Sequence, residues 1–488
     1  MLRRTKILAT LGPATDPKDP EGSEYEVLDE IIQAGVDVVR VNFSHGTPEE
    51  HLRRVEAVRN RARAHGRQVG VLCDLQGPKI RITRFKNGEV ELVEGSKFTL
   101  DANLDADAGT EERVGVTYKL LPDDVSRGDT LMIDDGRIVF WVEDVDGHEI
   151  HCTVKVGGTL YNSKGINRKG GGLSAAALTD KDKEDIGLAA KIQADYLAIS
   201  FPRNAEDINH ARKLMKDAGG QCGIVAKIER AEAIDAIEEI IEASDAIMIA
   251  RGDLGVEIGD AELPAIQKKL IRMARYANRV VITATQMMES MIENQIPTRA
   301  EVFDVANAVL DGTDAVMLSA ETATGKYPAM TVAAMDRVCR HAEQQRIARI
   351  SDHRINEEFN FIDEAIAMSA MYAANHLGAK AIAALTESGS TALWMSRISS
   401  GIPIYALTSH VETRRKVTLY RGVYPVSFEP LSDSPAELNQ EAIDELVRRG
   451  TVRDGDLVII TKGDLMGVLG GTNAMKIIRV GELPPQVD

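Results

Sequence analysis

The chain has 488 residues, of which 44% are hydrophobic and 27% charged, so it is long enough for two or three domains and has the balance of a globular protein. Its net charge of −17 argues against nucleic acid and anionic membranes as main partners. Its four cysteines form no CxxC pair and no apolar run approaches the length of a membrane span, so we expect a cytoplasmic protein.

The N-terminal part alternates short apolar runs with segments of helical spacing. Strands are predicted to start at Lys6, Val36 and Val69, with helices over Tyr25–Ala34 and Glu49–Ala64 between them. Polar residues follow the second and third of these strands: Arg40, Asn42, Ser44, His45 and Asp74. This pattern indicates three successive β/α units.

Residues 78–175 have a different pattern. Short alternating runs are separated by Asn87-Gly88, Asp135-Gly136 and Asp146-Gly147, which are strong hairpin signals. We predict an all-β insertion here, a small barrel that closes as a lid over the rest. The glycines at 170–172 are equally typical of a return hinge and of a plain loop.

The β/α pattern then resumes, with strand starts at Asp195, Gly223, Ala246, Val280 and Ala315. Eight strands alternating with helices predict a (β/α)₈ barrel formed by residues 1–77 and 176–346. In that fold the chemistry lies at the C-terminal ends of the strands. Polar residues cluster at those ends: Arg40, Asn42, Asp74, Lys227, Glu229, Asp253, Thr285 and Ser319.

The stretch from Gly223 to Gly255 reads as strand, helix, strand, so its two strands end at the same edge. Glu229 and Asp253 would supply hard oxygen ligands for Mg²⁺, and Lys227 beside them would neutralise a phosphoryl group. The alternative is a solvated ion pair at the strand ends.

Residues 347–488 predict a separate α/β domain with a parallel sheet. The loop Thr386–Thr391 (TESGST) lies between a strand and a helix starting near Ala392. Such a hydroxyl-rich loop is either an anion site at a helix N-terminus or an N-capping turn.

Seven long motifs occur along the chain: VRVNFSHG (39–46), DLQGPKIR (74–81), AKIER (226–230), ARGDLGVEI (250–258), ATQMMESM (284–291), PTRAEVFDVANAVLDG (297–312) and MLSAET (317–322). Together they resemble the pyruvate kinase family over nearly the whole chain, in its bacterial form. The resemblance implies the last step of glycolysis: Mg²⁺-dependent phosphoryl transfer from phosphoenolpyruvate to ADP, giving pyruvate and ATP, with Mn²⁺ as a possible substitute. It also implies a homotetramer with an allosteric site.

The same resemblance assigns residues to roles. The implied catalytic residues are Lys227, Arg40, Thr285 and Ser319. The substrate would be bound by Arg40, Lys227, Gly252, Asp253 and Thr285, and the metal by Glu229 and Asp253. The nucleotide phosphates would contact Asn42, Phe43, Ser44, His45, Arg81 and Lys181. Glu50 stands where many relatives carry an aromatic residue near the adenine.

Two further implications concern ions and effectors. Many relatives hold K⁺ at positions matching Asn42, Ser44, Asp74 and Leu75, with a glutamate at the position of Lys79. The sequence here resembles the potassium-independent branch, so we expect Lys79 to fill that locus and K⁺ not to be required. The matching effector site is Thr386, Glu387, Ser388, Gly389, Ser390 and Thr391. Glu387 favours AMP or a sugar monophosphate over a doubly phosphorylated sugar.

Two other functions fit the same residues. A Mg²⁺-dependent lyase acting on pyruvate or oxaloacetate would use the same carboxylates but would not need Arg81 or Lys181. A metabolite sensor without turnover would keep the fold, although the intact set of Lys227, Glu229, Asp253 and Thr285 argues against it.

Overall fold

The computed structural model describes residues 2–18, 24–348, 358–432, 434–464 and 470–482. Its first elements are β1 (Lys6–Thr10), α1 (Glu26–Ala34), β2 (Val38–Asn42), α2 (Pro48–Ala64) and β3 (Gly70–Asp74). Thr47 and Glu50 form a capping box at the start of α2, with Pro48 in the first turn. Gly35 ends α1 in a left-handed conformation that favours glycine. These local signals set where each β/α unit turns.

The insertion follows β3. Its strands and one short helix are β4 (Glu89–Leu92), β5 (Lys97–Asp101), β6 (Arg113–Gly115), α3 (Leu121–Asp124), β7 (Thr130–Ile133), β8 (Ile138–Asp146), β9 (Glu149–Val156), β10 (Gly158–Tyr161) and β11 (Ile166–Arg168). They pair as a six-stranded sheet and a separate two-stranded sheet, where the sequence predicts a small barrel. The sheets enclose a hydrophobic cluster of their own, so this insertion, which we call the lid, has its own core.

The second part of the barrel contains β12 (Tyr196–Ile199), β13 (Gly223–Ile228), β14 (Ala246–Ala250), β15 (Val280–Ala284) and β16 (Ala315–Leu318). The helices around them are α4 (Asp180–Ile192), α5 (Ala205–Asp217), α6 (Glu232–Asp235), α7 (Ile237–Ala243), α8 (Arg251–Ile258), α9 (Leu263–Tyr276), α10 (Arg299–Asp311), α11 (Ala320–Ala323) and α12 (Pro328–Ala342). Eight parallel strands close in the order β1-β16-β15-β14-β13-β12-β3-β2. The predicted (β/α)₈ barrel is confirmed.

One local prediction in the barrel is wrong. The stretch between β13 and β14, whose spacing predicts one helix over 231–242, is two helices, because Ala236 leaves helical geometry between α6 and α7. Arg251, Gly252 and Asp253, which end the second strand of that stretch in the sequence, form the first turn of α8, which follows β14 without a gap. The buried Leu254 packs in the barrel core and stabilises that turn despite two glycines in the helix.

The C-terminal domain contains α13 (Ile362–Leu377), β17 (Ala381–Leu385), α14 (Ser390–Ser396), β18 (Ile404–Thr408), α15 (Val411–Lys416), β19 (Val423–Ser427), α16 (Pro435–Arg448), β20 (Leu457–Gly463) and β21 (Thr472–Arg479). The sheet order is β19-β18-β17-β20-β21. Four strands are parallel as predicted, and β21, which the sequence analysis missed, is antiparallel to β20. No helix in the described part of the chain is long and apolar enough to cross a membrane.

Buried ion pairs join the C-terminal domain to the barrel. Arg397, directly after α14, pairs with Asp314 and donates to the carbonyl of Arg279 at 2.6 Å. Arg415 pairs with Asp195 at 2.9 Å. Asp195 and Asp314 each precede a barrel strand, so the domain contacts the N-terminal end of the barrel. The opposite face, where the polar strand ends lie, stays clear of these contacts.

We predict that Arg397→Met destabilises the protein, because both partners of this ion pair are almost fully buried and Asp314 would lose its counter-charge. Breaking such a pair typically costs about 3–5 kcal/mol. Urea unfolding of the full chain measures this cost. Arg84→Met, which removes an exposed pair with Asp107, is the control and should cost no more than about 0.5 kcal/mol. Equal losses in the two variants would contradict the prediction.

Candidate active site

Lys227 lies at the centre of the polar face of the barrel. Its ammonium contacts Glu229 at 2.9 Å and Asp74 at 3.2 Å, and donates to the Ser200 hydroxyl at 2.6 Å. Because β13 lies between β12 and β14, Lys227 near its end is brought to the strand ends of its neighbours. The side chain is 12% exposed, so this cation is mostly buried among its partners but keeps some access to solvent.

The ionisation of these groups follows from their surroundings. Burial would lower the pKa of Lys227, but the carboxylates of Asp74 and Glu229 outweigh burial and raise it. Burial opposes ionisation of Asp74, yet Lys227 and Arg40 bring its pKa below the usual value. Burial raises the pKa of Glu229, and the nearby charge of Asp253 adds to this effect. Lys227 is therefore a permanent, preorganised positive charge.

Arg40 is the second cation on this face. Its Nε donates to the other oxygen of Asp74 at 2.6 Å, and its Nη1 donates to Thr10 at 3.1 Å. Asp74 thus lies between Arg40 and Lys227 and fixes both side chains. Two fixed cations side by side suit the oxygens of a phosphoryl group.

Gly252, Asp253 and Thr285 come together at the first turn of α8. The Gly252 N–H donates to the Thr285 hydroxyl at 2.9 Å. Thr285 has a φ of +66°, which is rare for a β-branched residue, and Arg251 holds its carbonyl at 2.6 Å. The helix start and this strained turn place backbone N–H groups and a hydroxyl at one edge of the cavity, an arrangement that suits a carboxylate.

Glu229 and Asp253 fit a divalent cation. Both offer only hard oxygen donors, which Mg²⁺ prefers. The charge of Asp253 raises the pKa of Glu229, so the two carboxylates are close enough to repel each other, and a cation between them would relieve this repulsion. One Glu229 oxygen accepts from the Phe201 N–H at 2.8 Å, which orients the carboxylate.

The structure places Lys79 differently from the prediction. Its ammonium pairs with Asp253 at 2.8 Å. Both oxygens of Asp74, where we predicted the lysine, face Arg40 and Lys227 instead. The Leu75 carbonyl accepts from Ser200 at 2.8 Å, and the Asn42 side chain accepts from the Ser44 N–H at 3.1 Å. The Lys79 ammonium therefore lies beside Asp253, one of the two predicted metal ligands.

The residues predicted to contact nucleotide phosphates lie in two places, at the loop after β2 and on the lid side. Lys181 reaches the loop after β2, where it donates to the Phe43 carbonyl at 2.8 Å. The Phe43 ring is buried against His51, so this residue offers only its backbone to a ligand. His45 is exposed, and Arg81, on the lid side, donates to the Ser163 carbonyl at 3.0 Å. Glu50 is engaged in capping α2.

A cavity of about 730 Å³ separates the barrel face from the lid, within the usual range for ligand sites. Its barrel wall includes Asp253, Thr285 and Ser319, and its lid wall includes the β7–β8 turn at Asp135 and Gly136. Ser319 is fixed by its N–H, which donates to the buried Glu321 at 2.6 Å. The lid is thus positioned to cover the polar strand ends.

Three residues that hold this site were not predicted as site residues: Ser200, Arg251 and Glu321. Ser200 and Arg251 each follow a strand, so the strand-end signal that identified the others applies to them too. Glu321 has no such signal, because its role depends on accepting from the N–H groups of Ser319 and Met288.

The C-terminal loop lines a second pocket. Five of the six predicted effector residues line it: Thr386, Glu387, Ser388, Ser390 and Thr391. The sixth, Gly389, lies within the same loop. Lys462 and Thr472 complete the wall from β20 and β21. Glu387 pairs with His410 at 2.6 Å. Residues 465–469 of the facing glycine-rich loop lie outside the described residues.

Comparisons with known proteins cover both domains. The family model of the pyruvate kinase barrel domain matches residues 2–332, and that of the pyruvate kinase alpha/beta domain matches residues 364–478. The chain is 58% identical to pyruvate kinase II of Salmonella typhimurium over 483 residues, covering 98% of this chain and 99% of that protein. It is 56% identical to a pyruvate kinase of Haemophilus influenzae over 466 residues, covering 95% and 96%. It is 40% identical to one of Mycobacterium intracellulare over 487 residues, covering 99% of each.

Proposed function

The chain belongs to the pyruvate kinase family, and from this premise we propose how its barrel face transfers a phosphoryl group from phosphoenolpyruvate to ADP. The observation that carries the proposal is the Lys227 ammonium, held by Asp74, Glu229 and Ser200. With Arg40 it presents positive charge to the transferring group, whose charge is spread over its equatorial oxygens. Mg²⁺, or Mn²⁺ in its place, would be held by Glu229 and Asp253 and would neutralise phosphoryl charge.

The other residues orient the substrates. The substrate carboxylate binds at the start of α8, at the N–H groups of Gly252 and Asp253, with Thr285 beside them. Thr285 and Ser319 both line the cavity and serve the proton delivery that converts the enolate to pyruvate. The ADP phosphates contact Asn42, the Phe43 backbone, Ser44, His45, Lys181 and Arg81. Lid closure excludes water, which would otherwise compete with ADP for the phosphoryl group.

We predict that Lys227→Met abolishes turnover, because it removes the positive charge that faces the transferring phosphoryl group. Loss of one such stabilising group costs roughly 10²–10³-fold in kcat. ATP formation from phosphoenolpyruvate, ADP and Mg²⁺ measures it, with circular dichroism to establish that the variant is folded. Lys216→Met, on the outer helix α5, is the control and should keep wild-type turnover. If Lys227→Met kept more than about a tenth of kcat, the role assigned here would be wrong.

We further propose that this enzyme needs no K⁺. The support is the Lys79 ammonium at Asp253, a fixed monovalent charge at the edge of the cavity. The ammonium does not lie at the predicted locus, which is formed by Asn42, Ser44, Asp74 and Leu75. It still supplies a positive charge, as K⁺ would, to the cavity between barrel and lid. A compact ammonium on a flexible stem is suited to this substitution.

Full activity is therefore expected with Mg²⁺ in K⁺-free, tetramethylammonium-balanced buffer. Lys79→Glu should lower that activity by about tenfold or more, because it replaces an ion pair by repulsion, and K⁺ should partly restore it. Lys169→Glu makes the same charge change at the lid wall of the cavity and should show no K⁺ rescue. A wild-type enzyme that is inactive until K⁺ is added would overturn the proposal.

The loop Thr386–Thr391 is proposed to bind a phosphorylated activator. Its hydroxyl groups surround the start of α14, where the Gly389 N–H donates to Thr386 and the Ser390 N–H to Ser388. Lys462 supplies a positive charge on the opposite wall of the pocket. Glu387 also lines the pocket, and its negative charge would repel a second phosphate. AMP or a sugar monophosphate therefore fits better than a bisphosphate.

AMP or ribose 5-phosphate should lower the half-saturating phosphoenolpyruvate concentration by about fivefold or more, the lower range of allosteric coupling. Ser390→Asp should remove the shift by repelling the phosphate, and Ser388→Ala should weaken it. Thr451→Ala, a C-terminal residue outside the pocket lining, should keep it. If neither compound shifts the curve, or if Ser390→Asp leaves the shift unchanged, the loop is only a helix cap.

The remaining proposals concern organisation. We propose three domains: the barrel, formed by residues 1–77 and 176–346, the lid, formed by 78–175, and the C-terminal domain, formed by 347–488. We also propose that the protein is a cytoplasmic homotetramer. Exposed apolar side chains in two regions support the tetramer: Ile296 and Phe303 on the barrel, and Phe361, Ile362 and Tyr372 at α13. A second and a third copy of this chain covering these side chains would give the two interfaces that a tetramer with twofold symmetry needs.

A further inference from the structure

The segment that returns from the lid to the barrel is held by three charged residues of the barrel. This return hinge covers residues 169–175, between β11 and α4. Arg230 donates from Nη1 to the Leu173 carbonyl at 3.0 Å and from Nη2 to the Ala175 carbonyl at 3.4 Å. The side chains of Leu173 and Ala175 belong to the lid core, so Arg230 attaches the lid core to the barrel.

Glu232 and Glu257 hold the rest of the hinge. The Glu232 carboxylate accepts from the Gly172 N–H. The Glu257 carbonyl accepts from the Gly170 N–H at 3.0 Å, and its carboxylate accepts from Asn167 of β11 at 3.3 Å. The other oxygen of that carboxylate accepts from the Ala231 N–H at 2.9 Å, which joins α8 to the end of β13.

The hinge backbone is built for this contact. Gly170, Gly171 and Gly172 all have left-handed φ values, of +83°, +76° and +91°. A Cβ at Gly171 would lie 2.4 Å from a Glu232 oxygen, so the close approach requires glycine. Arg230 itself is 5% exposed, with its guanidinium 5.5 Å from the Phe201 ring centroid. The glycine segment, which the sequence left open as hinge or plain loop, is thus a constrained and specifically bonded turn.

We propose that Arg230, Glu232 and Glu257 form a clasp that positions the lid over the barrel cavity for phosphoryl transfer. This inference rests on the proposed function of the barrel face, and it assigns these three as positioning residues. Arg230 directly follows the proposed metal ligand Glu229, and Glu257 lies one helical turn after Asp253. The clasp therefore holds the lid relative to the metal ligands. Arg81, the proposed nucleotide contact on the lid side, moves with the lid.

Arg230→Met in the full chain tests the clasp, with Arg230→Lys as the conservative variant. The control is Arg212→Met, which removes an arginine that donates two hydrogen bonds within the barrel, to the Asp245 carboxylate and the Ala243 carbonyl. Hydrogen exchange across residues 166–176 should speed up about tenfold or more in Arg230→Met, with Arg230→Lys intermediate, because the local opening energy falls by the lost charged hydrogen bonds.

The kinetic effect should fall on ADP. The KM for ADP is expected to rise about tenfold and kcat to fall, since a charged hydrogen bond contributes about 1.5–3 kcal/mol. Calorimetry of phosphoenolpyruvate with Mg²⁺, without ADP, should give an affinity within about twofold of wild type, because the barrel face is untouched. Arg212→Met should change none of these values.

Unchanged exchange at 166–176 would overturn the clasp, and so would faster exchange with unaltered KM and kcat. An equal loss of phosphoenolpyruvate affinity would show a general structural role instead. If Arg230→Met does not fold, Glu232→Ala, which removes the acceptor of the Gly172 N–H at a half-buried site, provides the same readouts. A wild-type enzyme without turnover would refute the proposed function, while the exchange measurement would still decide whether the clasp holds the lid.

Discussion

The polar face depends on one buried charge arrangement, in which Asp74 lies between Arg40 and Lys227 while Lys227 also contacts Glu229. Two cations and two carboxylates balance, and removing any one would leave a buried charge without its partner, at a cost of several kcal/mol. Because this balance already exists without ligand, a substrate that brings a phosphoryl group and a carboxylate adds uncompensated negative charge. The divalent cation that we propose at Glu229 and Asp253 would offset that added charge.

The two ends of the barrel have separate tasks. The strand ends at Lys227 and Thr285 form the site at which we propose phosphoryl transfer, while Asp195 and Asp314 at the opposite end pair with Arg415 and Arg397 of the C-terminal domain. Arg397 follows α14, whose first turn borders the pocket that we propose for an effector, and Asp314 precedes β16, which leads to Ser319. If a bound effector moved the start of α14, as the proposal implies, it would act on the Arg397–Asp314 pair, which one four-residue strand connects to the proposed active site.

Periodicity and strand-end polarity were sufficient to predict the barrel. All eight predicted strand starts lie within two residues of the observed ones, because buried parallel strands are continuous apolar runs bounded by polar residues. Contacts between elements were not predictable in the same way. Lys79 has a flexible stem, and the sequence does not say whether Asp74 or Asp253 lies within its reach. The left-handed Thr285 is imposed by Arg251 and the start of α8, which no local pattern indicates.

Catalysis and closure share the same short segments of chain. Glu229 and Arg230 are adjacent, and Asp253 and Glu257 lie one turn apart on one face of α8, so two residues of the proposed clasp stand beside the proposed metal ligands. The hinge has little freedom to shift, because three consecutive left-handed glycines are fixed against Glu232 and Glu257. The proposed clasp would thus fix the lid from positions adjacent in the chain to the proposed metal ligands, one peptide bond from Glu229 and one helical turn from Asp253.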